Sequence, residues 1–274
     1  MSETPETAPE PHLLIERDGH VVTVTMNRPK AKNAMGFEML ARLADAWDLI
    51  DGDDDVRVVI LTGAGGCFSA GADLKSMHGS APDPWRDRFQ DENGKDNGLH
   101  WKAFLRNHRL SKPLIAAVEG PAYGGGTEIL QATDIRVAGR SAKFALSEVK
   151  WGLFPLGGST VRLRRQIPHT KAMEMLLTGR AVPADEAERM GLITRVVDDG
   201  GALAEARVIA DRIAANGPLA VQAVRMSALE SDGLTEEEAL ANELKHGWPV
   251  FMSEDAKEGP RAFAAGRTPV FKGR

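Results

Sequence analysis

Along the first quarter of the chain, apolar residues shift from alternate positions to every third or fourth position and back again. "LLIER" (13–17) and "HVVTVTM" (20–26) have the two-residue period of half-buried strands. "FEMLARLADAWDLI" (37–50) has helical spacing, and "VRVVILTG" (56–63) returns to a strand. This opening predicts a β-β-α-β unit. The theme recurs with "KPLIAAVEG" (112–120) as a buried strand, a helix starting near Gly124, and "DIRVAG" (134–139) as another strand. Such alternation predicts an α/β layered core. It has no fixed sequence period of the solenoid kind.

Beyond residue 201 the pattern becomes wholly helical. "ALAEARVIADRIAANG", "PLAVQAVRMSALE", "EEEALANELKHGWPVFM" and "SEDAKEGPRAFAAG" follow one another, divided by Gly, Pro or Ser. The expected organisation is a tail over 1–11, a core over 12–198 and a C-terminal helical region over 199–274. Residues 76–99 are polar and broken by Pro and Gly, yet carry Trp85 and Phe89. Loops of that length are usually functional covers or disordered.

Composition narrows the function classes. The 274 residues are 42% hydrophobic and 27% charged, as in an ordinary globular domain. With 34 basic and 39 acidic residues the formal charge is -5, so no overall field draws the chain to nucleic acid or an anionic membrane. The apolar runs are too short to span a bilayer, which takes about 20 residues. The first ten residues lack the basic and apolar parts of a secretory signal. The single cysteine, Cys67, leaves no partner for a disulfide and suits a reducing compartment, so the expected location is the cytoplasm.

Several motifs point to chemistry that they do not complete. "TGAGGCFSAGADL" (62–74) follows a strand as a dinucleotide fingerprint does, but Phe68 stands where the third small residue is needed. "DGDDD" (51–55) runs into Val56 where a calcium loop requires glycine, and reads as a solvated turn. "RLRRQ" (162–166) reads as the exposed face of a helix rather than a phosphate clamp. Cys67 reads as a small buried residue, with no assignable histidine partner for a nucleophilic role. No metal site is expected.

Gly124, Gly125 and Gly126 open an otherwise helical segment, although each glycine costs roughly 1 kcal/mol against alanine in a helix interior. Two explanations stand level. The glycines expose unpaired N–H groups to an anion or oxyanion at the positive end of the helix, or they allow tight packing. Glu128 lies three residues after Gly125 and emerges on the same face. Glu148 follows a short strand-like run. Two glutamates meeting at one cleft would equip it to move protons and activate water, whereas each alone reads as a helix-terminal or loop carboxylate.

Taken as a set, five blocks resemble the enoyl-CoA hydratase/isomerase, or crotonase, superfamily in order and approximate spacing. They are "NRPKAKNAM" (27–35), "FSAGADLKSM" (68–77), "AVEGPAYGGGTEI" (117–129), "FALSEVKWGLFPLGGS" (144–159) and "LLTGRAVPADEAERMGLITRVV" (176–197). The resemblance implies an α/β spiral of β-β-α units with C-terminal helices that assemble homotrimers or homohexamers. It implies an acyl-CoA thioester substrate, with coenzyme A as part of the substrate and no prosthetic group. The implied oxyanion hole is the N–H groups of Ala72 and Gly125. The implied catalytic pair is Glu128, activating water, and Glu148, giving a proton to C2, which favours a hydratase over an isomerase, an acyl-CoA hydrolase or a non-catalytic binding subunit. Implied coenzyme A contacts are Arg28, Lys30, Ala70, Asp73, Leu74, Lys75, Phe263 and Arg267, the last near Gly266, where many members carry lysine. Met77, Trp151, Phe154 and Leu156 are the expected acyl pocket, bulkier than is usual in the family.

Overall fold

A computed structural model of the chain describes residues 10–78 and 83–274; residues 1–9 of the expected tail, 79–82 of the long loop and the Met77 and His78 side chains lie outside the described residues. The strands are β1 (Leu13–Asp18), β2 (Val21–Met26), β3 (Val58–Gly63), β4 (Leu114–Val118), β5 (Pro121–Tyr123), β6 (Ile135–Gly139), β7 (Lys143–Ala145), β8 (Val182–Pro183) and β9 (Arg195–Val197). The helices are α1 (Phe37–Asp51), α2 (Leu74–His78), α3 (Leu99–Ala103), α4 (Gly125–Leu130), α5 (Ser159–Gln166), α6 (His169–Thr178), α7 (Ala184–Arg189), α8 (Ala202–Ala214), α9 (Pro218–Glu230), α10 (Glu236–Phe251) and α11 (Asp255–Ala264).

Six strands form the main sheet in the order β1-β2-β3-β4-β6-β9. The β1-β2 pair is antiparallel, with Leu13 opposite Met26, and every later pair is parallel. The remaining strands form a small sheet, β5-β7-β8.

Period-2 alternation sends side chains of the same strands into two separate cores. Val22, Val24, Val59, Leu61, Ala116 and Val118 face inward to Met39, Leu43 and Trp47 of α1. Val21, Val58, Ile60, Ile115, Ala117 and Val137 face the other way, onto Ala202, Ala206 and Ala210 of α8. Alanine at every fourth position of α8 allows close approach to the sheet. Hence α8, which the sequence groups with the C-terminal helices, covers one face of the core sheet. Trp47 is fully buried and donates its indole N–H to the Ala103 carbonyl oxygen at 3.0 Å, tying α1 to α3.

The described part of the long loop has local structure. Phe89 is buried edge-on to Phe37, while Arg42 and Arg88 stack on Trp85. The C-terminal helices are much less covered. No residue of α10 is buried, and Leu240, Leu244, Trp248 and Phe251 are exposed along it.

Candidate active site

The main and small sheets position the glycine segment. From β4 the chain passes through β5 and turns at Gly124, whose φ of 51° and ψ of -122° lie outside the conformations open to side-chain-bearing residues. A Cβ there would also stand 3.2 Å from Oε1 of Glu148. Helix α4 then begins at Gly125. Thr127 fixes it by donating its hydroxyl to the Ala122 carbonyl oxygen at 2.5 Å and accepting from the Ala145 N–H at 3.2 Å.

Two backbone N–H groups converge beside Gly125. Ala72 forms a parallel bridge with Met35 in which the Met35 N–H donates to Gly71 and the Asp73 N–H donates to Met35. The Ala72 N–H is therefore turned the other way. Its nitrogen is 3.7 Å from the point a Gly125 Cβ would occupy, and a Cβ on Gly71 would lie 3.2 Å from the Gly125 nitrogen. Among the described residues neither the Ala72 nor the Gly125 N–H meets an acceptor. The Phe104 ring covers Gly125 so closely that an added Cβ would come within 3.0 Å of it. Glycine is thus required at 125 by close packing, one of the two explanations the sequence left open.

Two carboxylates lie close enough for their charges to repel. Glu128, one turn into α4, is buried, with Oε1 accepting from the Ser159 N–H at 3.4 Å. Its carboxylate sits against Gly157, where a Cβ would approach Oε2 to 2.8 Å. Burial raises its pKa, opposed by the Gly157 and Ser159 N–H groups and by the charge of Arg162. Glu148 begins a 3-10 turn, Glu148–Trp151, after β7. Burial, reinforced by repulsion from Glu128, pushes its carboxyl up to about 7. Oε2 of Glu148 is buried and has no hydrogen-bond partner among the described residues. One carboxylate is thus held by N–H donors, and the other is buried with its pKa raised.

The other expected positions are dispersed. Arg28 donates to Asp73 at 2.9 Å and to the Ala34 carbonyl oxygen at 2.7 Å. Asp73 accepts from the Lys75 and Ser76 N–H groups, capping α2; burial disfavours its ionised form, but these bonds hold its carboxyl below the usual range. Ala70 donates its N–H to the Lys32 carbonyl oxygen, while Lys30, Leu74 and Lys75 are exposed. Trp151, Phe154 and Leu156 are exposed by 73%, 62% and 53%, an apolar rim on the segment that follows Glu148 in the chain. Phe263 is exposed on α11, and Arg267 is held in a bidentate pair with Glu258. Cys67 is buried, which pushes its thiol pKa up. Phe104, Gly157, Ser159 and Arg162 were not singled out as site residues by sequence; all bear on the cleft.

A parallel sheet extended by a second small sheet, with paired carboxylates and bare N–H groups where they meet, defines an enzyme scaffold of the crotonase class. The chain belongs to the enoyl-CoA hydratase/isomerase family, which it matches over residues 16–274. It is 56% identical over 264 residues to the enoyl-CoA hydratase EchA19 of Mycobacterium tuberculosis, covering 96% of this chain and 97% of that one. An (E)-benzylidenesuccinyl-CoA hydratase of Thauera aromatica is 39% identical over 264 residues, covering 95% and 99%. A crystal structure of an enoyl-CoA hydratase from M. tuberculosis H37Rv superposes with a TM-score of 0.87 at 43% identity, covering 97% and 100%.

Proposed function

We propose that the chain is a 2-enoyl-CoA hydratase in which Glu128 and Glu148 share the handling of one water. The hydroxyl of water joins C3 and a proton joins C2, giving the 3-hydroxyacyl-CoA, with the reverse dehydration through the same groups. Glu128 takes the water's proton as Glu148 delivers its own to C2, so the pair holds one proton before and after. The observation that carries this reading is the second carboxylate: Glu148 is poised near 7 beside an already buried Glu128. An isomerase needs only one such group.

The N–H groups of Ala72 and Gly125 take the thioester oxygen as it becomes an enolate. In other enzymes, loss of one such donor costs about 2.7–4 kcal/mol. Lys30 and Lys75 offer exposed charge to the coenzyme A phosphates, and Ala70 and Leu74 line the approach. The Arg28–Asp73 pair holds that approach in shape. The rim of Trp151, Phe154 and Leu156 favours an apolar acyl group.

The exposed apolar faces of α9 and α10 favour a homotrimer or homohexamer, in which Phe263 and Arg267 would be delivered to a coenzyme A. No helix among the described residues is long and apolar enough to cross a membrane. The free Cys67 suits a cytoplasmic setting.

The test is the ultraviolet absorbance of the conjugated thioester, followed with enoyl-CoAs of varied chain length and bulk. Absorbance falls on hydration, and Glu128→Gln and Glu148→Gln each lose at least about 100-fold in kcat. Full activity in both variants would overturn the paired-carboxylate mechanism.

A further inference from the structure

The cleft raises a question that two neighbouring glutamates always pose: which one keeps the proton. Helix α5 carries the answer on the far side of the Gly157–Gly158 turn. A Cβ on Gly157 would press on the Glu128 carboxylate at 2.8 Å, and a Cβ on Gly158 would touch Nε and Nη1 of Arg162 at 3.5 Å. Glu128 and Arg162 therefore lie against consecutive residues of one bare turn. Nη2 of Arg162 donates to the Leu105 carbonyl oxygen, and Nη1 is buried without a hydrogen-bond partner among the described residues.

Leu105 is itself unusual. Its φ of 52° is a left-handed conformation that a branched side chain rarely adopts, and such strain persists where the surroundings enforce it. The conformation aims the carbonyl at Arg162 while the preceding residue, Phe104, covers Gly125. One short segment thus braces both the N–H pair and the guanidinium. On Arg162's other side lies a cavity of about 780 Å³ lined by His108, Arg109 and Arg165, so no acidic side chain there competes with Glu128 at close range except Asp134 and Asp232, which are paired to Arg225 and Arg165.

We propose that Arg162 is a positioning residue that reinforces the division of labour: clamped by Leu105 behind the Gly157–Gly158 turn, it adds its charge to the Gly157 and Ser159 N–H groups in keeping Glu128 the carboxylate, and leaves Glu148 as the acid. The proposal rests on the hydratase reading and assigns its proton. The charged groups facing Glu128 are Glu148 and Arg162, with Arg106 and Arg109 acting in turn on Arg162. Arg162 partly offsets the rise that burial imposes on Glu128, whereas Glu148 has no such cation. A purely structural role, fastening the Leu105 loop, would affect activity equally at every pH.

Arg162→Gln keeps a donor for Leu105 and removes the charge; Arg162→Lys keeps the charge. The profile of kcat/KM against pH distinguishes them. In the Gln variant the acidic limb moves upward, so the loss at about pH 5.5 exceeds the loss at about pH 8 by at least about threefold, and Lys restores the wild-type limb. A loss that is uniform across pH overturns the proposal. Should Arg162→Gln not fold, carbon-13 NMR titration of glutamate carboxyls in the wild-type protein and one further variant, assigned with Glu128→Gln and Glu148→Gln, decides the matter. In Arg162→Met, a second variant that removes the charge, Glu128 titrates above its wild-type position if the proposal holds, and an unchanged position overturns it. Because that titration needs no turnover, it separates failure of this proposal from failure of the hydratase reading.

Discussion

Glu148→Gln should make the folded protein more stable at alkaline pH while abolishing its chemistry. In the folded chain the Glu148 carboxyl is pushed from 4.5 up to about 7, chiefly by burial. A group raised in this way supports folding fully below about pH 4.5, where both states are protonated. Its contribution is lost as pH rises through about 7, because the folded protein must then bury a charge that the unfolded chain leaves in water. At about 1.4 kcal/mol per pH unit the full gap is worth about 3.5 kcal/mol. Partial exposure of Glu148 screens the charge, which brings the expected cost to about 1–2 kcal/mol. Glutamine has nearly the same shape and no charge. Urea unfolding at fixed protomer concentration, at about pH 5 and about pH 8, measures the difference. Wild type and variant should differ by less than about 0.5 kcal/mol at the lower pH, and the variant should gain about 1–2 kcal/mol at the higher. Equal stability at both pH values, or a variant weakened at pH 8, would refute the claim that Glu148 is destabilised when ionised.

Two further consequences follow from contacts in the cleft and on the C-terminal helices. Gly157 does not occupy a left-handed conformation, so Gly157→Ala leaves the backbone intact while its methyl displaces the Glu128 carboxylate from 2.8 Å. Steady-state kinetics should give a kcat reduced about 10–100-fold with little change in KM or melting temperature; unchanged kcat would show that Glu128 is not held in a working position. Trp248 is 57% exposed on a helix with no buried residue. If α10 is an assembly surface, Trp248→Asp should shift the protein to a smaller species in light scattering, and an unchanged mass would place the interface elsewhere.

Much of this molecule is legible in its sequence, and the legible parts share a physical reason. β2, β3 and β4 are strongly apolar strands whose alternate residues serve two cores, so their identity survives any detail of packing. The α4 start is legible because three glycines contradict helix propensity, and Glu128 follows from helical spacing. Glu148 has no comparable local signal; only the family resemblance selects it. β5, β7 and β8 have two or three residues each, too few for a period to show. Arg162 is the instructive departure. "RLRRQ" reads as a solvated face, and Arg164 and Arg165 are indeed exposed, but the first arginine turns inward. Its placement depends on the adjacent double-glycine turn, on a Gln131–Ser159 hydrogen bond of 2.8 Å joining α4 to α5, and on Leu105, a residue 57 positions away. A leucine in a left-handed conformation leaves no mark in the pattern of apolar and polar residues.

The central claim, one water added across a 2-enoyl thioester by a glutamate pair, is tested most directly by isotopes. With an enoyl-CoA substrate in water enriched in oxygen-18 and deuterium, mass spectrometry of the product should find one solvent oxygen at C3 and one solvent hydrogen at C2. Both labels should disappear in Glu148→Gln. A product that gains deuterium without oxygen would mark an isomerase, and release of free coenzyme A would mark a hydrolase; either would contradict the account.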